Sequence, residues 1–96
     1  MPNLTIVAKV VAKIECIQAV KTELIKLVEP TRQESGCIDY RLHQDNDDPA
    51  VFIFYENWES DDCLEKHINS AHFIAYVYAV EGMIDDKVVY RMTMIQ

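Results

Sequence analysis

Apolar residues first recur at every second position. In "LTIVAKVVA", Leu4, Ile6, Ala8, Val10 and Ala12 alternate with Thr5, Val7, Lys9 and Val11. A period of two marks a strand, here with one wholly apolar face and one mixed face. From about Cys16 the period lengthens. Ile17, Val20, Leu24, Leu27 and Thr31 recur at three- and four-residue steps, while Lys21, Glu23, Lys26 and Glu29 point elsewhere. That spacing predicts an amphipathic helix. Pro30 cannot donate to the carbonyl of Lys26, so the helix should kink or tighten there, and Gly36 supplies a left-handed stop. "CIDYRLH" predicts a second strand with Ile38, Tyr40 and Leu42 on one face. "QDNDDP" is a turn of residues that bond their own backbone, and "AVFIFYENW" a third strand that closes a hairpin. Ser60 is a candidate N-cap for a short helix through His67 and Ile68, with Asp61 and Asp62 at the positive end of its dipole. Ser70 can cap a second helical piece carrying Phe73, Ile74, Val77 and Val80, closed by Gly82. "KVVYRMTMI" predicts the last strand.

The order strand, helix, strand, strand, helix, strand predicts an α+β fold. Its compact form is a ferredoxin-like four-stranded antiparallel sheet with the helices on one face. The third strand raises a difficulty, because it is apolar on both faces. Val51, Ile53 and Tyr55 face one way, Phe52 and Phe54 the other. Helices cover only one side, so Phe52 and Phe54 are expected on the open face. Burying each would contribute roughly 1.5–3 kcal/mol. A homodimer packed through the open sheet faces is therefore expected; a ligand cavity lined by that face is the alternative.

Composition narrows the partners. The 96 residues are expected to form one domain, 1–96, with a small core. Half the residues are hydrophobic, which excludes a disordered chain. A net charge of −7 argues against nucleic acid and anionic membranes, which both select basic patches. "MPNLTIVAKVVAK" lacks the basic leader and unbroken apolar run of a secretion signal, and no stretch approaches the ~18–20 apolar residues that span a bilayer. Cys16, Cys37 and Cys63 are odd in number and form no C-x-x-C. Free thiols in a reducing cytoplasm follow. With two glycines and no G-x-G-x-x-G, Walker loop or G-x-S-x-G elbow, no nucleotide or flavin cofactor is expected.

The candidate chemistry rests on three histidines, His43, His67 and His72. His67 and His72 are five residues apart. On a continuous helix that is a rotation of roughly 140°, so the rings diverge unless the helix breaks near Asn69 and Ser70. The spacing is not the i, i+4 of a metal pair and no third ligand is matched to it, so no metal is expected. His67 shares a face with Cys63 and Leu64 and should be at least half buried, as a packed residue or as a catalyst. Glu56 and Trp58 share one face of the strand end. A carboxylate there could orient an imidazole or raise its pKa. Trp58 is also a natural anchor for the end of the core, and Tyr76 and Tyr78 are candidate rim residues of a cavity.

The stretch "TRQESGCIDYRLHQDNDDPAVFIFYENWESDDCLEKHINSAHF" resembles the antibiotic biosynthesis monooxygenase (ABM) domain family, of the small quinol monooxygenase type. The shared pattern is E-x-G-C (Glu34, Gly36, Cys37), an aromatic strand with Tyr40, E-x-W (Glu56, Trp58), then H-x-x-S-x-H-F (His67, Ser70, His72, Phe73). Ser35 stands where a proline is frequent. The resemblance implies a dimeric α+β barrel and oxidation of a small phenolic or quinol-like molecule by dioxygen, with neither metal nor cofactor. It implies His72 or His67 as the base, Trp58, Phe73 and Tyr76 as pocket walls, and Glu56 as the group orienting a ring nitrogen. Some relatives degrade haem with an Asn, Trp and His set. Here His67 falls at their tryptophan and Val77 at their haem-ligating histidine, with only Asn3 as a match, which argues against haem. Other relatives isomerise small carbonyl metabolites, and a non-catalytic dimer binding a small ligand is a further alternative.

Overall fold

The computed structural model describes residues 3–96. The first alternating segment is β1 (Leu4–Ala12). A 3-10 turn over Ile14–Cys16 leads into α1 (Ile17–Arg32). Val20, Leu24, Leu27 and Thr31 are its buried stripe, as their spacing requires. Pro30 does not end the helix. The last turn tightens instead: Gln33 N–H donates to the Pro30 carbonyl at 3.2 Å and Glu34 N–H to that of Thr31 at 3.0 Å. The strands β2 (Cys37–Gln44) and β3 (Val51–Trp58) follow as a hairpin. Asp45 and Asp48 carboxylates accept from the amides of Asp48 and Ala50 in its turn, each at 3.0 Å. Two short helices, α2 (Asp61–Ile68) and α3 (Ala71–Ala79), precede β4 (Ile84–Met92). The last strand starts and stops three residues earlier than its apolar run suggests. β4 pairs with β1, whose paired residues run from Thr5 to Ala12, and a register shift near Ala12 brings in Ile84.

The sheet order is β2-β3-β1-β4, with all three neighbouring pairs antiparallel. This is the ferredoxin-like α+β arrangement. α1 packs against β2 and α3. Ile6, Val20, Leu24, Leu27, Tyr40, Phe52 and Trp58 are buried between helices and sheet. Among the described residues, no helix is long and apolar enough to cross a membrane.

One expectation is reversed. Phe52 and Phe54 lie in the helix-covered core, 1% and 4% exposed, not on the open face. The register explains it. Phe52 sits opposite Val10, Phe54 opposite Ala8, Glu56 opposite Ile6 and Trp58 opposite Leu4. The even positions of β3 must therefore follow the apolar face of β1. The open face instead carries Val51, Ile53 and Tyr55, joined by Val7 and Val11 of β1 and by Val88, Tyr90 and Met92 of β4. These apolar residues share the face with polar ones: Lys9 lies opposite both Ile53 and Val88, and Thr5, Arg41 and His43 are on the same side.

Gly36 holds the loop between α1 and β2. Its φ is +85°, and a Cβ at that position would overlap Cys63 Sγ on α2. Gly36→Ala should therefore cost at least the ~1–3 kcal/mol of a non-glycine residue held in this region. Urea unfolding reads this directly; a parental midpoint would show that the loop relaxes freely.

Candidate active site

A break in the helix brings the histidines together. α2 ends at Ile68, and Ser70, with extended backbone (φ −72°, ψ 156°), starts α3. The Ser70 hydroxyl accepts from Phe73 N–H at 3.3 Å and donates to the His67 carbonyl at 2.6 Å. One side chain thus ties off the first helix and caps the second. The chain turns enough for the two imidazoles to converge, with ring centroids 6.1 Å apart.

Glu34 joins them. Its Oε2 accepts from His67 Nδ1 at 2.7 Å and from His72 Nε2 at 2.7 Å. An ionised carboxylate only accepts, so neutral His67 carries its proton on Nδ1 and neutral His72 on Nε2. The free lone pairs are then Nε2 of His67 and Nδ1 of His72. Glu34 reaches this position because its loop is tied down. Its amide bonds Thr31, its carbonyl accepts from Cys37 N–H at 3.2 Å, and the Gly36 carbonyl accepts from Glu59 N–H at 2.9 Å.

The two rings have different surroundings. His67 is 2% exposed and packed among Trp58, Phe73 and Tyr40, at centroid distances of 4.9, 5.0 and 5.5 Å. Burial pushes its pKa down; the hydrogen bond and charge of Glu34 oppose this only in part. His72 keeps a quarter of its side chain accessible, at 25%. His72 can therefore meet a molecule from solvent, whereas His67 backs it from the core. His43 pairs with Ile53 on the open face, across the sheet from both.

Phe73 lies beside His67, and its ring is tilted against that of Tyr76, 5.8 Å away. Burial pushes the Tyr76 phenol up to about 12. Tyr78, the other candidate rim residue, is largely exposed. Trp58 is wholly buried and forms the floor beneath His67. Glu56 does not orient a histidine. Its Oε1 accepts from Trp58 Nε1–H at 2.8 Å. Side chains two apart on a strand share a face, so the indole is its nearest donor. The ring nitrogens are instead held by Glu34, which stands in the E-x-G-C stretch.

Glu56 is 4% exposed, and burial pushes its pKa up to about 7. Between its unfolded value near 4.5 and about 7, the folded state holds the extra proton. Stability therefore falls as pH rises through this window, and the full penalty, roughly 3 kcal/mol, is felt above it. Glu56→Gln keeps an acceptor for Trp58 without the charge. The variant should be more stable than the parent at pH 8 and close to it at pH 4. Equal denaturation midpoints at pH 8 would refute the buried charge.

Residues 3–79 match the family model for antibiotic biosynthesis monooxygenase. The chain belongs to the antibiotic biosynthesis monooxygenase family. The crystal structure of PA3566 from Pseudomonas aeruginosa superposes on this ABM chain with a TM-score of 0.96 and 32% identity, covering 100% of this chain and 97% of that one. A crystal structure of an antibiotic biosynthesis monooxygenase gives 0.91 and 33%, covering 97% and 99%. The uncharacterized protein sll1783 of Synechocystis is 34% identical over 61 residues, 59% of this chain and 42% of its own length. The ABM chain thus spans less than half of that relative.

Proposed function

We propose that this ABM protein is a cofactor-independent monooxygenase of a small phenolic or quinol-like molecule, acting as a homodimer with His72 as its base. The observation that carries this reading is the accessible His72 ring, anchored through Nε2 on Glu34 beside an aromatic cluster. His72 Nδ1 takes the phenol proton. The anion left behind is electron-rich enough to reduce dioxygen itself. One oxygen atom enters the ring and the other leaves as water, with all electrons drawn from the substrate. The protein's tasks are to take the proton, hold the anion and exclude water. Glu34 fixes the tautomer and offsets the positive charge that forms on the imidazole. Phe73 and Tyr76 wall the site, with Trp58 and Glu56 beneath it.

Support for the homodimer comes from the apolar residues Val7, Val11, Val51, Ile53, Tyr55 and Val88, which surround Lys9 on the open face. Membership of the ABM family supports the oxygenase chemistry.

The test is oxygen uptake by EDTA-treated protein with a panel of hydroquinones and dihydroxynaphthalenes. Protein-dependent uptake, with one product oxygen derived from labelled dioxygen, is the expected result. Turnover of these compounds without oxygen uptake would replace the reading with an isomerase.

A further inference from the structure

Three donor atoms from separate parts of the chain converge at the helix break. Glu34 Oε2, His67 Nδ1 and His72 Nε2 all lie within 4.8 Å of one another. We propose that these three side chains bind one divalent first-row transition ion, with solvent completing its shell on the His72 side. Two imidazoles and one carboxylate are a donor set that suits zinc, iron, cobalt or nickel; magnesium and calcium prefer all-oxygen sites.

The geometry needs little change. A tetrahedral ion with bonds of about 2.0–2.2 Å holds its donors about 3.3 Å apart. The two nitrogen–oxygen separations are 2.7 Å, so the carboxylate must move outward by a fraction of an ångström. The nitrogens, no more than 4.8 Å apart, close on the ion. The Glu34 backbone is held, so its carboxylate shifts by side-chain rotation, and His72, in the first turn of α3, adjusts at its accessible edge. Each imidazole must present the lone pair of the nitrogen that now donates to Glu34, which requires moving the ring proton to its other nitrogen. His67 lies in the core, 2% exposed, and Glu34 keeps only 15% of its side chain accessible, so two of the three donors are preorganised by packing. His72 leaves the fourth direction open to water.

Metal occupancy and base chemistry use the same groups. A His72 ring that coordinates through Nε2 carries its proton on Nδ1, the atom proposed to accept the substrate's. A bound ion therefore shuts off the base. The binding proposal itself does not depend on the oxygenase reading, because it is read without turnover.

The experiment is a calorimetric titration of EDTA-treated protein with Zn2+ alone, paired with Co2+ as a visible probe. Expected are one Zn2+ per chain and a Co2+ absorption band of tetrahedral intensity. Both should be lost in His72→Ala. Glu34→Gln, which preserves shape, should weaken Zn2+ binding at least as much as loss of an outer-shell partner does, about 10–100-fold. His43→Ala, on the opposite face, should bind as the parent does. No saturable binding, or binding that survives in both His72→Ala and Glu34→Gln, would overturn the proposal. If His72→Ala fails to fold by circular dichroism, the isosteric Glu34→Gln decides it alone.

Discussion

His72→Ala should lower kcat/KM for oxygen-dependent turnover by about 10²–10⁴-fold, the usual contribution of a positioned general base. The loss should fall mainly on kcat, because the ring acts on the proton rather than on the bulk of the substrate. Stability should change little, since His72 lies at the edge of the cluster with a quarter of its side chain exposed. His67→Ala is a different experiment. It empties a site walled by Tyr40, Trp58 and Phe73 and should destabilise the fold by about 2–5 kcal/mol, as a large-to-small core change does. Its activity loss would therefore not identify a base. Glu34→Gln separates positioning from proton transfer. The amide still offers one acceptor oxygen, but no negative charge to stabilise an imidazolium. Its turnover should lie between those of the parent and His72→Ala, with KM near the parental value. An oxygen electrode gives kcat and KM for each variant, and thermal melts give stability. Parental turnover in His72→Ala would remove this ring from the mechanism.

Much of the fold was legible because its periods are clean. The alternation of Leu4 to Ala12 and the three- and four-residue steps from Ile17 to Thr31 each admit one element type. Ser60 and Ser70 stand at the helix starts, and both side chains accept from the amides three residues on. What alternation cannot show is which side of a doubly apolar strand the helices cover. The two sets of β3 were separable, but the buried identity of Phe52 and Phe54 follows from their pairing with Val10 and Ala8. That is a fact about register, not about periodicity. The site divides in the same way. The convergence of His67 and His72 depended on a break that Ser70 made visible. Glu34 is 33 residues from His67 and 38 from His72, so no local spacing connects them. The connection is made by the Gly36 turn against Cys63, a tertiary contact. Only the E-x-G-C resemblance set Glu34 apart, without assigning it a role. Glu56 stands two residues from Trp58 on one strand face, so the indole and not a histidine is the donor its Oε1 meets.

The corrected face assignment changes what a charge should do. Phe54→Asp places a carboxylate in the helix-covered core beside Tyr40, whose ring stacks on Phe54 at 4.6 Å. The subunit itself should then unfold, with loss of the circular dichroism spectrum. Ile53→Asp, one residue away, points to the opposite side of the sheet. It should leave the subunit folded and break the dimer. Lys9 and His43 stand opposite position 53, so the new carboxylate is partly offset and costs less than the about 3–5 kcal/mol of an unpaired buried charge. A two-fold interface contains two copies, so even about 1.4 kcal/mol per copy should raise the dimer dissociation constant by about 10²-fold. Light scattering at micromolar concentration should give twice the chain mass for the parent and a single chain mass for Ile53→Asp, with helical and strand signals intact. A parent that is monomeric under these conditions would refute the homodimer. A dimeric Ile53→Asp would move the interface off this sheet face. Either result would leave Val7, Val51, Ile53 and Val88 as an apolar surface without the partner proposed for it.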